Sequence, residues 1–251
     1  MLFDDRVDAA KQLAERLKEW LRSNVATQGE QLEYNSTVII LAIPRGGVVV
    51  GDVIASTLGV KLDIIVSRKI GAPDNPELAI GAVMPDGSYS LNRDIVDMLN
   101  VPRSYITEQA NIQKKEIERR LQSFRGESKG KEEGENSGYY NDYNNFEGKT
   151  VVLVDDGIAT GATILSAAQW LKTKQNCCKM LIVAAPVAPP PPSRSSSSED
   201  IVSKLNQIAD KVIILYRPEP FYAVGQFYRI FEQVSDNEVR EIMQRHRYRS
   251  L

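Results

Sequence analysis

The stretch VVLVDDGIATGAT, residues Val151 to Thr163, sets two adjacent acids against a run of small residues and hydroxyls. Four apolar residues lead into Asp155 and Asp156. Gly157, Ile158, Ala159, Thr160, Gly161, Ala162 and Thr163 follow before a helical pattern begins. A strand that ends in such a turn and enters a helix leaves several backbone N–H groups free, and the helix dipole adds positive potential there. Gly157 and Gly161 permit tight turns and Thr160 and Thr163 bring hydroxyl donors, so the loop suits a phosphate. Two carboxylates pointing into it would repel that phosphate. They make sense one sugar's width away, gripping hydroxyls on a ligand whose other end is the phosphate. Charge-assisted hydrogen bonds of that kind contribute roughly 1.5–3 kcal/mol each. The ligand so described is a ribose 5-phosphate. Other anion loops fit worse: the chain has no GxxxxGK[ST], and no GxGxxG follows a strand.

Strands alternating with helices must position this loop. Ser36 to Pro44 (STVIILAIP) is a continuous β-branched run, as expected of a strand buried on both faces. VVVGDVIASTLGV reads as a helix ending near Gly59, and Lys61 to Ser67 as the next strand. A hairpin turning at Asp86-Gly87 and two helices follow, the second with Pro102 in its first turn. Further strands are expected at Thr150–Val154, Met180–Ala185 and Lys211–Tyr216, with a helix from about Thr160 to Lys172 and a terminal helix. At the N-terminus, Phe3, Val7, Ala10, Leu13, Ala14, Leu17, Trp20 and Leu21 form one apolar helical stripe. This order predicts an α/β fold, a mostly parallel sheet flanked by helices, with ligands beyond the carboxyl ends of its strands. Residues Arg125 to Lys149 and about 189–200 read as polar excursions, and Ser196 with Glu199 as a capping box after the second.

The composition sets bounds. Of 251 residues, 42% are hydrophobic and 25% charged, enough for a sizeable core, and the net charge of -2 exerts no global pull toward nucleic acid. Cys177 and Cys178 are too few and too close for a disulfide framework or a zinc site, so a reducing cytoplasm is expected. No apolar run approaches the ~20 residues of a membrane span. KKEIERR (Lys114 to Arg120) and RHRYR (Arg245 to Arg249, with the only histidine, His246) read as solvated helix faces.

The VDDGIATGAT segment resembles the 5-phosphoribosyl 1-diphosphate (PRPP) signature of type I phosphoribosyltransferases. The likeness extends through IPRGG, SRKIGAP and FYAVGQFY, roughly Thr37 to Tyr228. It is nearest to a phosphoribosyltransferase-domain branch sometimes fused to hydrolase domains. The resemblance implies a Rossmann-like core over about 36–216 within one domain, 1–251. It also implies a small hood from the N-terminal helix or residues 217–251. Asp155 and Asp156 would bind the ribose hydroxyls, and Gly157 to Thr163 the 5-phosphate. Arg45, Gly46 and Gly47 would form the pyrophosphate loop, with a cis peptide entering Gly46. Arg68 and Lys69 would sit on a flexible loop that closes over the site and neutralise the leaving pyrophosphate; Glu77 is a candidate for reaching the incoming base. Phe221 or Tyr222 would stack on the acceptor, although a satellite core under the final helix explains those rings equally well.

The activity implied is transfer of the phosphoribosyl group from PRPP to a nitrogen acceptor, a nucleobase being one candidate, in nucleotide metabolism. Pyrophosphate departs through an oxocarbenium-like transition state, with Mg²⁺ held mostly through substrate and water beside Asp155 and Asp156. Enzymes for 6-oxopurines carry an aspartate and a lysine where this chain has Ala159 and Ala162, which disfavours those bases. The alternative is a non-catalytic PRPP or nucleotide sensor of the same fold. A second copy of the chain, in a homo-oligomer, is carried as a candidate partner.

Overall fold

The computed structural model describes residues 2–24, 37–125, 146–173, 178–192 and 199–248. Most of the first polar excursion, Ser196 and Cys177 lie outside the described residues.

Five parallel strands form the main sheet: β1 (Val38–Ala42), β2 (Lys61–Ile64), β6 (Thr150–Val154), β7 (Met180–Val187) and β8 (Lys211–Tyr216). Their spatial order is β2-β1-β6-β7-β8. Every residue of β1 and of β6 is buried, as their unbroken apolar runs require when helices cover both faces. The order reverses direction between β1 and β6, and at that switch point a doubly wound sheet opens a crevice beyond its carboxyl ends. The loop leaving β1 begins at Ile43, and the loop leaving β6 begins at Asp155. They start side by side, with Ala42 opposite Val154 in register and Ile43 N–H donating to Val154 O at 3.0 Å.

Two helices pack on one face. α1 (Arg6–Asn24) buries Ala10, Leu13, Ala14, Leu17 and Leu21 in the same core as β1 and α2 (Gly46–Leu58), while Val7 of the predicted stripe faces out. α2 begins at Gly46, inside what reads in sequence as an interrupting loop. It ends at Gly59, whose φ of 68° is the left-handed cap that glycine adopts without strain. The opposite face holds α5 (Ala162–Thr173) and α6 (Ile201–Ile208), with Trp170, Leu171 and Leu205 in a second core. Asp200 caps α6 by accepting from Ser203 N–H at 3.1 Å, while Ser196 of the expected capping box lies outside the described residues.

Residues 68–91 build a second, antiparallel sheet of β3 (Arg68–Ala72), β4 (Asn75–Val83) and β5 (Tyr89–Leu91). The segment expected as a flexible loop is thus a paired hairpin, since Ile70, Ala72, Ile80 and Val83 bury themselves in the main core. Two helices follow, α3 (Arg93–Met98) and α4 (Arg103–Arg125). The latter donates Tyr105 Oη to Gly71 O at 3.1 Å. Trp170 Nε1 reaches Asp86 Oδ2 at 3.0 Å and ties the β4–β5 turn to α5.

The first polar excursion is anchored in the core at both ends. Arg125 is 4% exposed and pairs with Asp63 at 2.7 Å, and Phe146 is 1% exposed. Beyond β8, a short 3₁₀ turn (Val224–Phe227) leads to the terminal helix α7 (Asp236–Tyr248). Phe227 and Tyr228 pack with Phe3 ahead of α1, so the start of the described chain meets the segment between β8 and α7.

Candidate functional site

The crevice at the switch point brings the two glycines after β1 onto the two acids after β6. A Cβ on Gly46 would sit 1.8 Å from Asp156 Oδ2, and one on Gly47 would sit 3.0 Å from Asp155 Cα. Only hydrogen in place of a side chain permits that approach. The cis peptide lies at Pro44–Arg45, one bond earlier than the expected position entering Gly46. Arg45 extends toward the start of α7, its Nη1 lying 3.4 Å from Asp236 Oδ1.

The following loop is tied to the far side of the sheet. Ile158 N–H donates to Val187 O at 2.8 Å, and Gly157 wedges against Val187 and Val224. Gly161 takes φ 76° with Ile201 beside it, and Leu165 N–H returns to Gly161 O at 2.9 Å to start α5. The result is a cavity of about 140 Å³ lined by Asp155 and residues 157–164. The space opens at a strand-to-helix turn, where free backbone N–H groups and the helix dipole favour a small anion. Thr160 and Thr163 line it, and both are exposed.

The acids differ in their surroundings. Asp156 Oδ2 pairs with Arg6 Nε at 2.7 Å, and no cation among the described residues engages Oδ1. Asp155 Oδ1 accepts from Asp156 N–H at 2.8 Å. Burial first, and then the charge of Asp156, pushes the Asp155 carboxyl well above the usual carboxylate range, while the Arg6 charge pulls the other way. Tyr228 donates its hydroxyl to Asp156 O at 2.6 Å, and burial followed by the Asp156 charge raises its phenol so that it stays protonated. The unengaged carboxylate oxygens are hard ligands of the type Mg²⁺ takes alongside substrate phosphates. Among the described residues no group of three or more His, Cys, Asp or Glu side chains is placed to hold a metal by itself.

The remaining predicted residues lie on the rim or apart. Lys69 Nζ pairs with Glu77 at 2.9 Å across the hairpin, so Glu77 is engaged by Lys69. Arg68 Nε contacts Gln113 Oε1 of α4 at 3.1 Å, and the charges of Arg119 and Arg120 reach it. The KKEIERR segment is the charge-laced helix face its sequence implies, with only Ile117 buried. Arg119 and Arg120 both clamp Glu116 at 2.8 Å and hold its carboxyl down to about 2. Phe221 packs on Phe227 at 5.1 Å, whereas Tyr222 is 85% exposed. His246, expected on a solvated helix end, is 7% exposed with its Nε2 2.7 Å from Asp52 Oδ1. Sequence reasoning misses Arg6, Tyr228 and Asp236. Arg6 lies 150 positions from its partner, and nothing local sets it apart from the charges around it.

No helix among the described residues is long and apolar enough to cross a membrane. The solved structure of TT1426 from Thermus thermophilus is 31% identical with a TM-score of 0.66, covering 98% of this chain and 99% of that one. Proteins of Mycobacterium tuberculosis strains H37Rv and CDC 1551, provisionally assigned as phosphoribosyl transferases, are 37% identical over 244 residues. That alignment takes in 97% of this chain but only 47% of theirs, so the chain spans about half the length of these relatives. The family model described as the phosphoribosyl transferase domain matches residues 5–215, which include both loops of the crevice, and the chain belongs to that family.

Proposed function

We propose that the chain binds PRPP with Mg²⁺ and transfers its 5-phosphoribosyl group to a nitrogen acceptor, releasing pyrophosphate. The observation that carries this reading is the meeting of two loops at one switch point. Backbone glycines stand against a carboxylate pair, and a hydroxyl-lined anion cavity follows directly.

Each part then has one task. Residues 157–163 take the 5-phosphate on backbone N–H groups and on the hydroxyls of Thr160 and Thr163, at the start of α5. Asp155 and Asp156 accept from the ribose diol and lie beside the positive charge that develops on the ring, where fixed anions stabilise the transition state more than the ground state. Arg45, with the backbone of Gly46 and Gly47, receives the diphosphate; for this Arg45 exchanges its exposed contact with Asp236 for a charge-matched fork. Arg68 and Lys69 add positive charge from the hairpin side. Asp155 and Asp156, mostly through substrate and water, would hold Mg²⁺ carried in with the substrate, and the cation would further neutralise the departing diphosphate. The bond from the anomeric carbon to the diphosphate oxygen breaks as the acceptor nitrogen bonds to that carbon, so the protein supplies positioning and electrostatics and no nucleophile.

Titration calorimetry with PRPP and Mg²⁺ tests the site: wild type binds, and Asp155→Asn/Asp156→Asn loses at least about tenfold in affinity. Equal affinity in both would remove the acids from the site. A pyrophosphate-release screen over bases and amines tests catalysis. Binding without turnover across a broad panel would favour the sensor.

A further inference from the structure

Arg6, at the start of α1, sends its side chain into the crevice floor, where it is held on several sides. Its guanidinium lies 3.8 Å from the centroid of Phe231, its Nη1 donates to Glu232 O at 2.8 Å, and its Nε meets Asp156 Oδ2 at 2.7 Å. The side chains of Arg6 and Asp156 are 12% and 15% exposed, so this is no solvated surface pair. Gly46 crowds the same oxygen beside the guanidinium, since a Cβ there would lie 1.8 Å from Asp156 Oδ2 and 3.0 Å from Arg6 Nε. Tyr228 pins the backbone of the same aspartate through its carbonyl. Asp156 therefore has one oxygen, Oδ2, committed to a buried cation, while no cation among the described residues engages Oδ1 and its other side-chain neighbour is the Asp155 carboxyl.

We infer that Arg6 is a positioning residue of the site: by fixing Asp156 Oδ2 it turns Oδ1 toward the ligand as the acceptor for one hydroxyl of the ribose diol. This rests on the PRPP reading and deepens it, making the start of the N-terminal helix and the segment after Tyr228 part of the sugar subsite. The physical gain is preorganisation. A carboxylate already locked in its rotamer loses little freedom when the sugar arrives, and the cation beside it offsets the cost of two neighbouring acids.

A structural role for Arg6 would weaken every ligand alike, whereas a positioning role weakens the diol selectively. The test is calorimetry with ribose 5-phosphate against its 2-deoxy and 3-deoxy counterparts, on wild type, Arg6→Gln and Arg6→Lys, each checked for folding by thermal melt. Wild type is expected to prefer ribose 5-phosphate by about tenfold or more over at least one deoxy sugar. In Arg6→Gln that preference falls to about threefold or less, and Arg6→Lys restores part of it because the charge returns without the planar fork. Should Arg6→Gln not fold, Phe231→Leu, which removes the ring beneath the guanidinium, is expected to lower the same preference. A wild-type preference retained in folded Arg6→Gln, or retained in Phe231→Leu when Arg6→Gln is unfolded, overturns the role of Arg6 and leaves the PRPP reading intact. A wild type without any preference overturns the assignment of the acids itself.

Discussion

Asp156 and Asp52 are both carboxylates held by cations from the ends of the chain, and they serve opposite purposes. Asp52, on α2, has both oxygens occupied: His246 Nε2 lies 2.7 Å from Oδ1 and Arg245 Nη2 lies 2.7 Å from Oδ2. Asp156 has one oxygen taken by Arg6. Burial alone would raise the Asp52 carboxyl, but hydrogen bonds from His246 and Arg245, with their charges, outweigh it and hold the group below its ordinary value. At the other cluster the outcome is reversed, and Asp155 is pushed up by burial and by its neighbour. A saturated carboxylate staples α7 to α2. Asp156, paired with one cation through one oxygen, stands beside a second acid at the switch point.

The largest effect should come from breaking the staple. Asp52→Ala leaves His246 and Arg245 facing an empty place and is expected to cost about 3 kcal/mol in a urea melt, with PRPP affinity retained. The depressed folded value means that the carboxylate's contribution is present above its unfolded value near 3.8 and is lost as pH falls through the folded one. The gap between variant and wild type should therefore close in acid, and a gap that persists there would argue that packing, not charge, holds α7.

Gly161→Ala comes next. At φ 76° a side chain costs about 1–2 kcal/mol of strain, and its Cβ would meet Ile201 at 2.2 Å. Both melting temperature and inorganic phosphate affinity should fall together, since the loop and the start of α5 move as one. Tyr228→Phe removes a single hydrogen bond to Asp156 O and should cost about 1 kcal/mol. A matching loss of PRPP affinity would sharpen the contrast with Asp52, and stability lost without affinity would blunt it.

The smallest change should be a gain. Asp155 has a raised folded value, so the folded state holds a proton that the unfolded chain releases, and wild-type stability declines as pH rises through that interval. Asp155→Asn escapes the decline. Its melting temperature should match wild type in acid and exceed it at neutral pH, while PRPP binding falls. A neutral-pH loss of stability would mean that the Asp155 anion is well satisfied after all.

Much of this is legible in sequence because it is local. Thr150–Val154 and Lys211–Tyr216 are strands with the expected bounds, since a β-branched run with buried neighbours admits little else. The loop after β6 stands out as a candidate anion site because backbone freedom at Gly157 and Gly161 and the hydroxyls beside them are properties of adjacent residues. His246 misleads for the converse reason. Its neighbours in RHRYR are polar, and only the packing of α7 on α2 removes it from water. The segment from Arg68 reads as a flexible loop from its Gly, Pro and Asn content, whereas burial of Ile70 and Ile80 decides its order as a hairpin.

Local chain chemistry alone determined the strands, the glycine and threonine turn after β6 and the two acids at its start. Tertiary structure alone decided which oxygen of Asp156 the Arg6 cation takes. Arg6, Gly46, Tyr228 and Phe231 come from distant stretches, and they converge on one side chain because the sheet reverses direction between β1 and β6 while the start of the chain packs on the segment between β8 and α7 beside it. A contact made across 150 positions leaves no periodicity or spacing to read, because its energy belongs to the fold and not to any segment of the chain.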